Sequence, residues 1–338
     1  MKKVINVLSS ATKVEGQGVG SAYVEQVNLI QERLSDKYEM IINSSKKSDI
    51  IHAHTVDLNH YMKMKSNKGV NVAYVHFLPD TLDGSLTMPK VMFDVFKKYL
   101  VNFYKYADYL VVVNPIFIKD LMKLGIDENK IRYIPNYVSK DMFYIDTTKV
   151  EDTRSKYNIE KDKFVVLGVG QVQVRKGVSD FIEVAKSLPD IQFVWCGGFS
   201  FGVITDGYKE LKDIYDNPPS NVKFIGIIPR EEMNDMYNMA DIVFMPSYNE
   251  LFPMTILEAS NVEKPILLRG LELYKDILFN NYLSASTNKE FSNIILRLST
   301  DKELYNKSCE CSKKINEYYD KEHVAKLWDE FYTDITSK

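Results

Sequence analysis

Asp241-Ile242-Val243-Phe244-Met245-Pro246-Ser247-Tyr248-Asn249-Glu250-Leu251-Phe252-Pro253-Met254-Thr255-Ile256-Leu257-Glu258-Ala259 reads as a buried strand, a polar loop and the start of a helix. The strand is a short, continuous apolar run, the composition of a parallel strand covered on both faces. Pro253 suits a first helical turn, where its missing N–H would be unpaired in any case. A strand that leaves through a loop into a helix is the repeating unit of a doubly wound α/β sheet.

The same unit recurs on both sides of this stretch. Upstream in the second half, strands are expected at Phe164–Leu167, Ile191–Trp195 and Val222–Ile225, with helices at Val178–Leu188 and Arg230–Met239. The first half predicts strands at Val4–Leu8, Asp49–His52, Val72–His76, Tyr109–Val113 and Arg132–Pro135. Between them, helical patterns run through Ser21–Leu34, Pro89–Tyr106 and Ile116–Leu124. From Val138 to Asp162 the chain turns polar without a sustained apolar period, which reads as an inter-domain connection. The expected architecture is therefore α/β: two Rossmann-like doubly wound domains, 1–150 and 151–320, with a cleft between them. A C-terminal helix, 321–338, should pack back toward the first domain.

Bulk properties narrow the class of protein. The 338 residues are 45% hydrophobic and 26% charged, as in ordinary globular chains. No apolar run approaches the roughly 20 residues of a membrane-spanning helix, and the N-terminus turns polar too early for a signal-peptide core. Cys196, Cys309 and Cys311 make no disulfide framework, and Cys309 with Cys311 has no histidine nearby to complete a metal site. The formal net charge of −3 conceals an asymmetry. Residues 1–150 carry 20 basic against 16 acidic side chains, and the remainder 23 against 30. With a negative total and basic residues gathered near one helix, nucleic acid is not an expected partner.

Two segments of the second half carry ligand chemistry. In open α/β sheets ligands sit beyond the C-terminal ends of strands, where helix N-termini offer unpaired N–H groups. Gly168-Val169-Gly170-Gln171-Val172-Gln173-Val174-Arg175-Lys176-Gly177 leaves a strand and opens a helix, with Arg175 and Lys176 as charge for a diphosphate. In the opening stretch, Glu250 lies in a loop and Glu258 in an apolar helical run. A carboxylate can accept from two sugar hydroxyls at once. If Glu258 is buried rather than on the solvated side of its helix, it needs partners.

Taken together, the Glu250-x7-Glu258 spacing, Arg175-Lys176-Gly177 after a Gly-x-Gly strand exit, Phe224-Ile225-Gly226-Ile227-Ile228-Pro229-Arg230-Glu231-Glu232-Met233 and Tyr237–Ser247 resemble glycosyltransferase family 4. The resemblance runs through nearly the whole chain. It implies the GT-B architecture, a UDP-sugar donor and retention of the anomeric configuration. By it, Glu258 holds the ribose and Glu250, a catalytic residue as well, the transferred hexose. Lys176 neutralises the diphosphate, with Gly170, Phe252 and backbone N–H groups near Met254 and Thr255 around it. Two positions depart from the family pattern. Gln171 stands where arginine is usual, leaving Arg175 to compensate, and Pro253 stands where glycine is usual, removing an N–H. The family needs no catalytic metal and no tightly bound cofactor, while magnesium can stimulate by screening anionic lipid or diphosphate.

In the first half, Gly16-Gln17-Gly18-Val19-Gly20-Ser21 follows the first strand. Its third glycine comes one position early for a dinucleotide fingerprint, and the resemblance assigns Gly18, Val19 and Gly20 to a loop near acceptor and phosphate. His76 ends a strand and matches the family's strand-end histidine, which implies a catalytic role. His52 and His54, two apart on another strand, should share one face and read as packing or loop support.

Lys90, Lys97, Lys98 and Lys105 recur at close to two-turn spacing on the Pro89–Tyr106 helix, beside a stripe through Met92, Phe96, Tyr99 and Phe103. Two readings stand on this helix alone: an element lying on an anionic bilayer, or a core-facing helix with a solvated lysine face. Tyr74–Ser85, Val113–Ile118 and Leu271–Leu278 resemble the family branch that makes bacterial diglycosyldiacylglycerols. That implies a monoglucosyldiacylglycerol acceptor, glucose or galactose as the transferred sugar, and a peripheral place on the cytoplasmic face of the cell membrane. Two alternatives remain: a family 4 transferase with a soluble or polysaccharide acceptor, and a sugar-nucleotide-binding protein without turnover.

Overall fold

The computed structural model describes residues 2–13, 18–79, 89–200, 202 and 205–337. It divides into two compact units, one of Val138–Tyr318 and one of the described residues before and after it.

The first unit runs β1 (Lys3–Leu8), α1 (Gly18–Arg33), β2 (Tyr38–Ile42), β3 (Ile50–Ala53), α2 (Leu58–Ser66), β4 (Val70–Val75), α3 (Lys90–Tyr106), β5 (Tyr109–Val112), α4 (Phe117–Lys123) and β6 (Ile131–Tyr133). All pairings are parallel, in the order β2-β1-β3-β4-β5-β6. The chain steps from β1 to β2 on one side and resumes at β3 on the other. The loops after β1 and β3 therefore part company at the switch point, where an open sheet leaves a crevice.

The second unit continues through α5 (Val150–Lys156), β7 (Val165–Val169), α6 (Val178–Ser187), β8 (Gln192–Cys196), α7 (Tyr208–Asp216), β9 (Val222–Gly226), α8 (Met233–Met239), β10 (Ile242–Met245), α9 (Met254–Asn261), β11 (Ile266–Arg269), α10 (Lys275–Leu278), β12 (Leu283–Ala285), α11 (Asn288–Thr300) and α12 (Lys302–Tyr318). Its parallel order is β12-β11-β10-β7-β8-β9. The switch point lies between β7 and β10, the two strands whose exits carry the candidate donor segments. Phe181, Phe193, Trp195, Phe244 and Phe291 interlock edge-on and offset in the core beneath them, geometries that aromatic pairs favour.

The last helix, α13 (Lys321–Thr336), belongs to the first unit. Asp320 caps it by accepting from the His323 N–H at 2.7 Å, as an N-cap carboxylate should. Trp328 and Tyr332 are fully buried against His52, Tyr74 and Tyr38. Each large aromatic so buried contributes roughly 1.5–3 kcal/mol, enough to tie this helix to its sheet.

The sequence places the domain boundary at 150, whereas the units divide at Tyr137/Val138. The polar stretch expected as a connection contains α5, a helix of the second unit with Thr153 as its buried residue. Arg154 holds it there by donating to the Met239 and Lys163 carbonyls and pairing with Asp241 at 3.1 Å. Polar anchoring of this kind leaves no apolar period to read. Among the described residues no helix is long and apolar enough to cross a membrane.

Candidate functional site

At the exit of β7 the backbone passes Gly170, enters a short 3-10 turn at Val174–Lys176 and reaches Gly177. Gly177 has φ +70°, and an added Cβ would lie 2.3 Å from the Pro246 carbonyl oxygen. Only glycine combines that backbone conformation with so close an approach. The approach draws the β7 exit onto the β10 exit, and the Tyr248 N–H donates to the Arg175 carbonyl at 2.7 Å.

The two exits bring Lys176 and Glu250 together. Lys176 Nζ donates to Glu250 Oε1 at 2.5 Å, and Arg175 Nη1 lies 3.6 Å from Oε2 while donating to the Asn249 carbonyl at 3.1 Å. Both partners of the close pair are largely buried. Burial works to raise the Glu250 pKa, but Lys176 and Arg175 outweigh it and hold the carboxyl below its ordinary value. Burial lowers the Lys176 pKa from its ordinary value, against the pull of Glu250. Gln171 is also buried, and Trp195 Nε1 donates to the Gly170 carbonyl at 2.9 Å, fixing the strand exit.

Pro253 is the N-cap residue of α9, with Phe252, Met254 and Thr255 buried around it. Five residues on, Glu258 is buried in the interior of the unit. The expected partners exist: Arg230 Nη1 donates to Oε1 at 2.5 Å and the Tyr237 hydroxyl to Oε2 at 2.6 Å. The Arg230 guanidinium also lies 5.0 Å from the Phe143 ring centroid. Sequence reading placed neither Arg230 nor Tyr237 at the site. The available signal was that a carboxylate in an apolar run needs a cation, and Arg230 stands in a motif of its own. Tyr274 was missed as well. It is fully buried, its hydroxyl has no hydrogen-bond partner among the described residues, and burial first and the Glu250 charge second push its pKa well above the ordinary value.

In the first unit, His76 lies just beyond β4 and is only partly covered. Its Nε2 is 3.2 Å from His54 Nδ1, and Tyr74 stacks on its ring at 4.3 Å between centroids. His52 and His54 face the same way from β3, 4.9 Å apart, with His52 Nδ1 2.9 Å from the Tyr332 hydroxyl. Burial lowers all three imidazoles, His52 and His76 to about 3 and His54 well below its ordinary value, so each is neutral at neutral pH. His54 thus lies against the candidate catalytic histidine while also packing on His52 and Tyr74. Gly18, Val19 and Gly20 are not a free loop but the first turn of α1, while Gly16 and Gln17 lie outside the described residues. The part of Tyr74–Ser85 from Asp80 onward also lies outside them.

On α3, Leu100, Phe103 and Tyr104 are buried, and Tyr99 donates its hydroxyl to the Val56 carbonyl. The stripe expected from Met92 to Phe103 is therefore the inward side at its C-terminal end. In its first two turns the apolar residues left exposed are Val91 at 75%, Met92 at 62% and Val95 at 62%. The helical period sets Lys90, Lys98 and Lys105 along one flank of them, and Lys97 covers the Phe93 ring at 4.6 Å.

The class defined by two doubly wound units and a cationic carboxylate site at a switch point is a nucleotide-sugar-binding α/β protein. Family models agree: that for group 1 glycosyl transferases matches residues 149–315, and that for Glycosyltransferase Family 4 matches residues 32–141. The chain is 44% identical over 331 residues to the alpha-galactosylglucosyldiacylglycerol synthase of Streptococcus pneumoniae, covering 97% of this chain and 88% of that protein. It is 27% identical over 297 residues to the processive diacylglycerol alpha-glucosyltransferase of Acholeplasma laidlawii, covering 87% of each. This chain belongs to the family 4 (group 1) glycosyltransferases. Among solved structures, the sucrose-phosphate synthase of Thermosynechococcus elongatus superposes with a TM-score of 0.80 at 16% identity, covering 99% of this chain and 100% of that one. Anabaena HepE in complex with UDP-glucose does so at 0.77 and 14%, covering 98% and 100%. The fold is GT-B, as the resemblance implied.

Proposed function

We propose that this glycosyltransferase moves glucose or galactose from a UDP-sugar to monoglucosyldiacylglycerol, forming a diglycosyldiacylglycerol with retention at the anomeric carbon. The reading is carried by the Lys176–Glu250 pair at the β7/β10 switch point, where one group suits a diphosphate and the other a hexose. Similarity to the Streptococcus pneumoniae enzyme over almost the full chain supports the lipid acceptor.

The inventory of donors and acceptors supports these roles. Lys176 spends one of three N–H donors on Glu250 and keeps two for phosphate oxygens; the Glu250 carboxylate keeps lone pairs for sugar hydroxyls. Glu258, fixed by Arg230 and Tyr237, is oriented for the ribose. Gly170, Gln171, Phe252, Pro253, Met254 and Thr255 line the remainder of the donor site. In the reaction the bond from the anomeric carbon to the UDP oxygen breaks and one to the acceptor oxygen forms on the same face. The acceptor proton passes to the departing diphosphate. His76, neutral in its stack on Tyr74, positions and polarises the acceptor, near the α1 N-terminus. No resident cofactor is required, and magnesium acts by screening charge.

The Val91, Met92 and Val95 strip with its flanking lysines supports a peripheral place on an anionic membrane, the cytoplasmic face in a bacterial cell. Lysine stems can lie along apolar surface while their charged heads stay in water.

The test offers UDP-glucose and UDP-galactose separately, with monoglucosyldiacylglycerol in mixed micelles, and identifies the product. An α-linked diglycosyldiacylglycerol from one donor is expected. UDP release with no disaccharide lipid from either donor would overturn the acceptor assignment. His76→Ala should abolish turnover with donor binding retained, and unchanged turnover would remove His76 from the reaction.

A further inference from the structure

We propose that His54 is the positioning residue of this enzyme: it donates its Nδ1 proton to His76 Nε2 and so holds His76 in the tautomer that presents an Nδ1–H to the substrate. The proposal rests on the reading of His76 as a residue facing the acceptor.

The geometry leaves few alternatives. His54 and His76 sit at the ends of adjacent parallel strands, β3 and β4, with Nδ1 and Nε2 3.2 Å apart. Tyr74 stacks against both rings, at 4.7 Å from His54 and 4.3 Å from His76, and the Tyr23 ring meets His54 edge-on at 5.3 Å. Rings packed this way cannot turn over without disturbing three elements. Both imidazoles are neutral, so each carries one proton, and a hydrogen bond between them requires that one of the facing nitrogens carry it.

The two assignments differ in what they leave inside the protein. His54 Nε2 is buried and has no hydrogen-bond partner among the described residues. If His76 donated to His54, the His54 proton would sit on that nitrogen as an orphaned buried N–H, which native structures rarely tolerate. With His54 as donor, the orphan is a bare acceptor lone pair, a lesser deficit. That choice puts the His76 proton on Nδ1. His76 then offers a donor to an acceptor atom of the substrate, a hydroxyl lone pair or a phosphate oxygen. It has no free lone pair with which to take a proton. Deprotonation of the attacking hydroxyl accordingly falls to the departing diphosphate.

The experiment labels the full-length protein with 15N-histidine and reads ring tautomers from long-range proton–nitrogen correlations, assigned with single histidine variants. The parent should show His76 with a protonated Nδ1 and a bare Nε2. In His54→Ala, His76 should shift toward the Nε2–H form, and kcat should fall on the order of tenfold to a hundredfold with the donor KM within about twofold. In His54→Asn, whose amide nitrogen sits near the place of Nδ1, the Nδ1–H signature and most of the turnover should return. A purely structural role for His54 would make Ala and Asn fall alike and leave the tautomer unmoved, which would overturn the proposal. So would a parent spectrum with His76 protonated on Nε2. Full turnover in His76→Ala would instead overturn the acceptor-side reading, and it is distinguishable because the tautomer spectrum does not depend on turnover.

Discussion

At the scale of single residues, the Lys176–Glu250 pair sets the strongest expectations. Removing one partner of a buried ion pair strands the other, at a cost of about 3–5 kcal/mol, whereas replacing both is often neutral. Lys176→Met should therefore lower the thermal midpoint sharply, and Lys176→Met with Glu250→Leu should recover most of it, while neither binds UDP in calorimetry. A parent-like melt for Lys176→Met would mean that Arg175 alone satisfies Glu250. The pair also dictates a pH dependence. The folded carboxyl pKa lies below the ordinary 4.5, so the unfolded chain binds more protons between the two values and stability rises with pH there. This contribution is complete above about pH 5 and is lost as pH falls below 4.5 through the lowered folded value. Glu250→Gln should flatten that limb of the stability profile. Tyr274 behaves oppositely, since its buried hydroxyl makes no hydrogen bond among the described residues to lose. Tyr274→Phe should leave the free protein as stable or raise it by up to about 1 kcal/mol, measured by urea titration. If donor affinity falls at the same time, the hydroxyl's partner is the sugar.

At the scale of elements, Gly177 joins the two strand exits of the proposed donor site. Gly177→Ala places a Cβ against the Pro246 carbonyl at a left-handed φ, a combination costing of order 1–3 kcal/mol. Because it pushes apart the two strand exits, UDP affinity should fall by more than the lost stability predicts; equal affinity would show that the exits are set elsewhere. The elements the sequence made legible were those with a strong apolar signal. The continuous run Val165-Val166-Leu167 and the apolar face of α6 could be read directly, and so could Glu250 and Glu258, because their spacing is tied to a loop and the helix after it. Several of the unread elements have little to bury, although α11 buries Phe291, Ile295 and Leu298. β2 and β12 are edge strands of mixed burial, and α7 buries Leu211 as α5 buries Thr153. β11, a buried Ile-Leu-Leu run ending at Arg269, is likewise absent from the strands expected from sequence. Arg230 and Tyr237 could not be placed from sequence because only the packing of α8 beside α9 shows what reaches Glu258.

For the whole molecule, charge and exposed apolar surface converge on the first 150 residues, which carry the positive balance while the rest of the chain is negative. Each lysine near an anionic surface is worth about 1 kcal/mol. Lys90, Lys97, Lys98 and Lys105 together would then contribute about 4 kcal/mol, close to a thousandfold in partitioning. The exposed Val91, Met92 and Val95 add an apolar contribution that salt does not screen. These two contributions separate experimentally. Reversing the four lysines to glutamate should weaken sedimentation with anionic vesicles by at least a hundredfold at low salt. At 1 M salt, where the screening length is about 3 Å, parent and variant should converge. Changing Val91, Met92 and Val95 to serine should weaken binding at both salt concentrations and also to neutral vesicles. If the apolar variant binds as the parent does while the lysine variant fails, the surface is a purely electrostatic one, and lipid access to the acceptor site must be provided by other residues. If neither variant changes vesicle binding, α3 is not the membrane face; if the parent itself shows no salt-sensitive binding to anionic vesicles, a water-soluble acceptor becomes the better assignment.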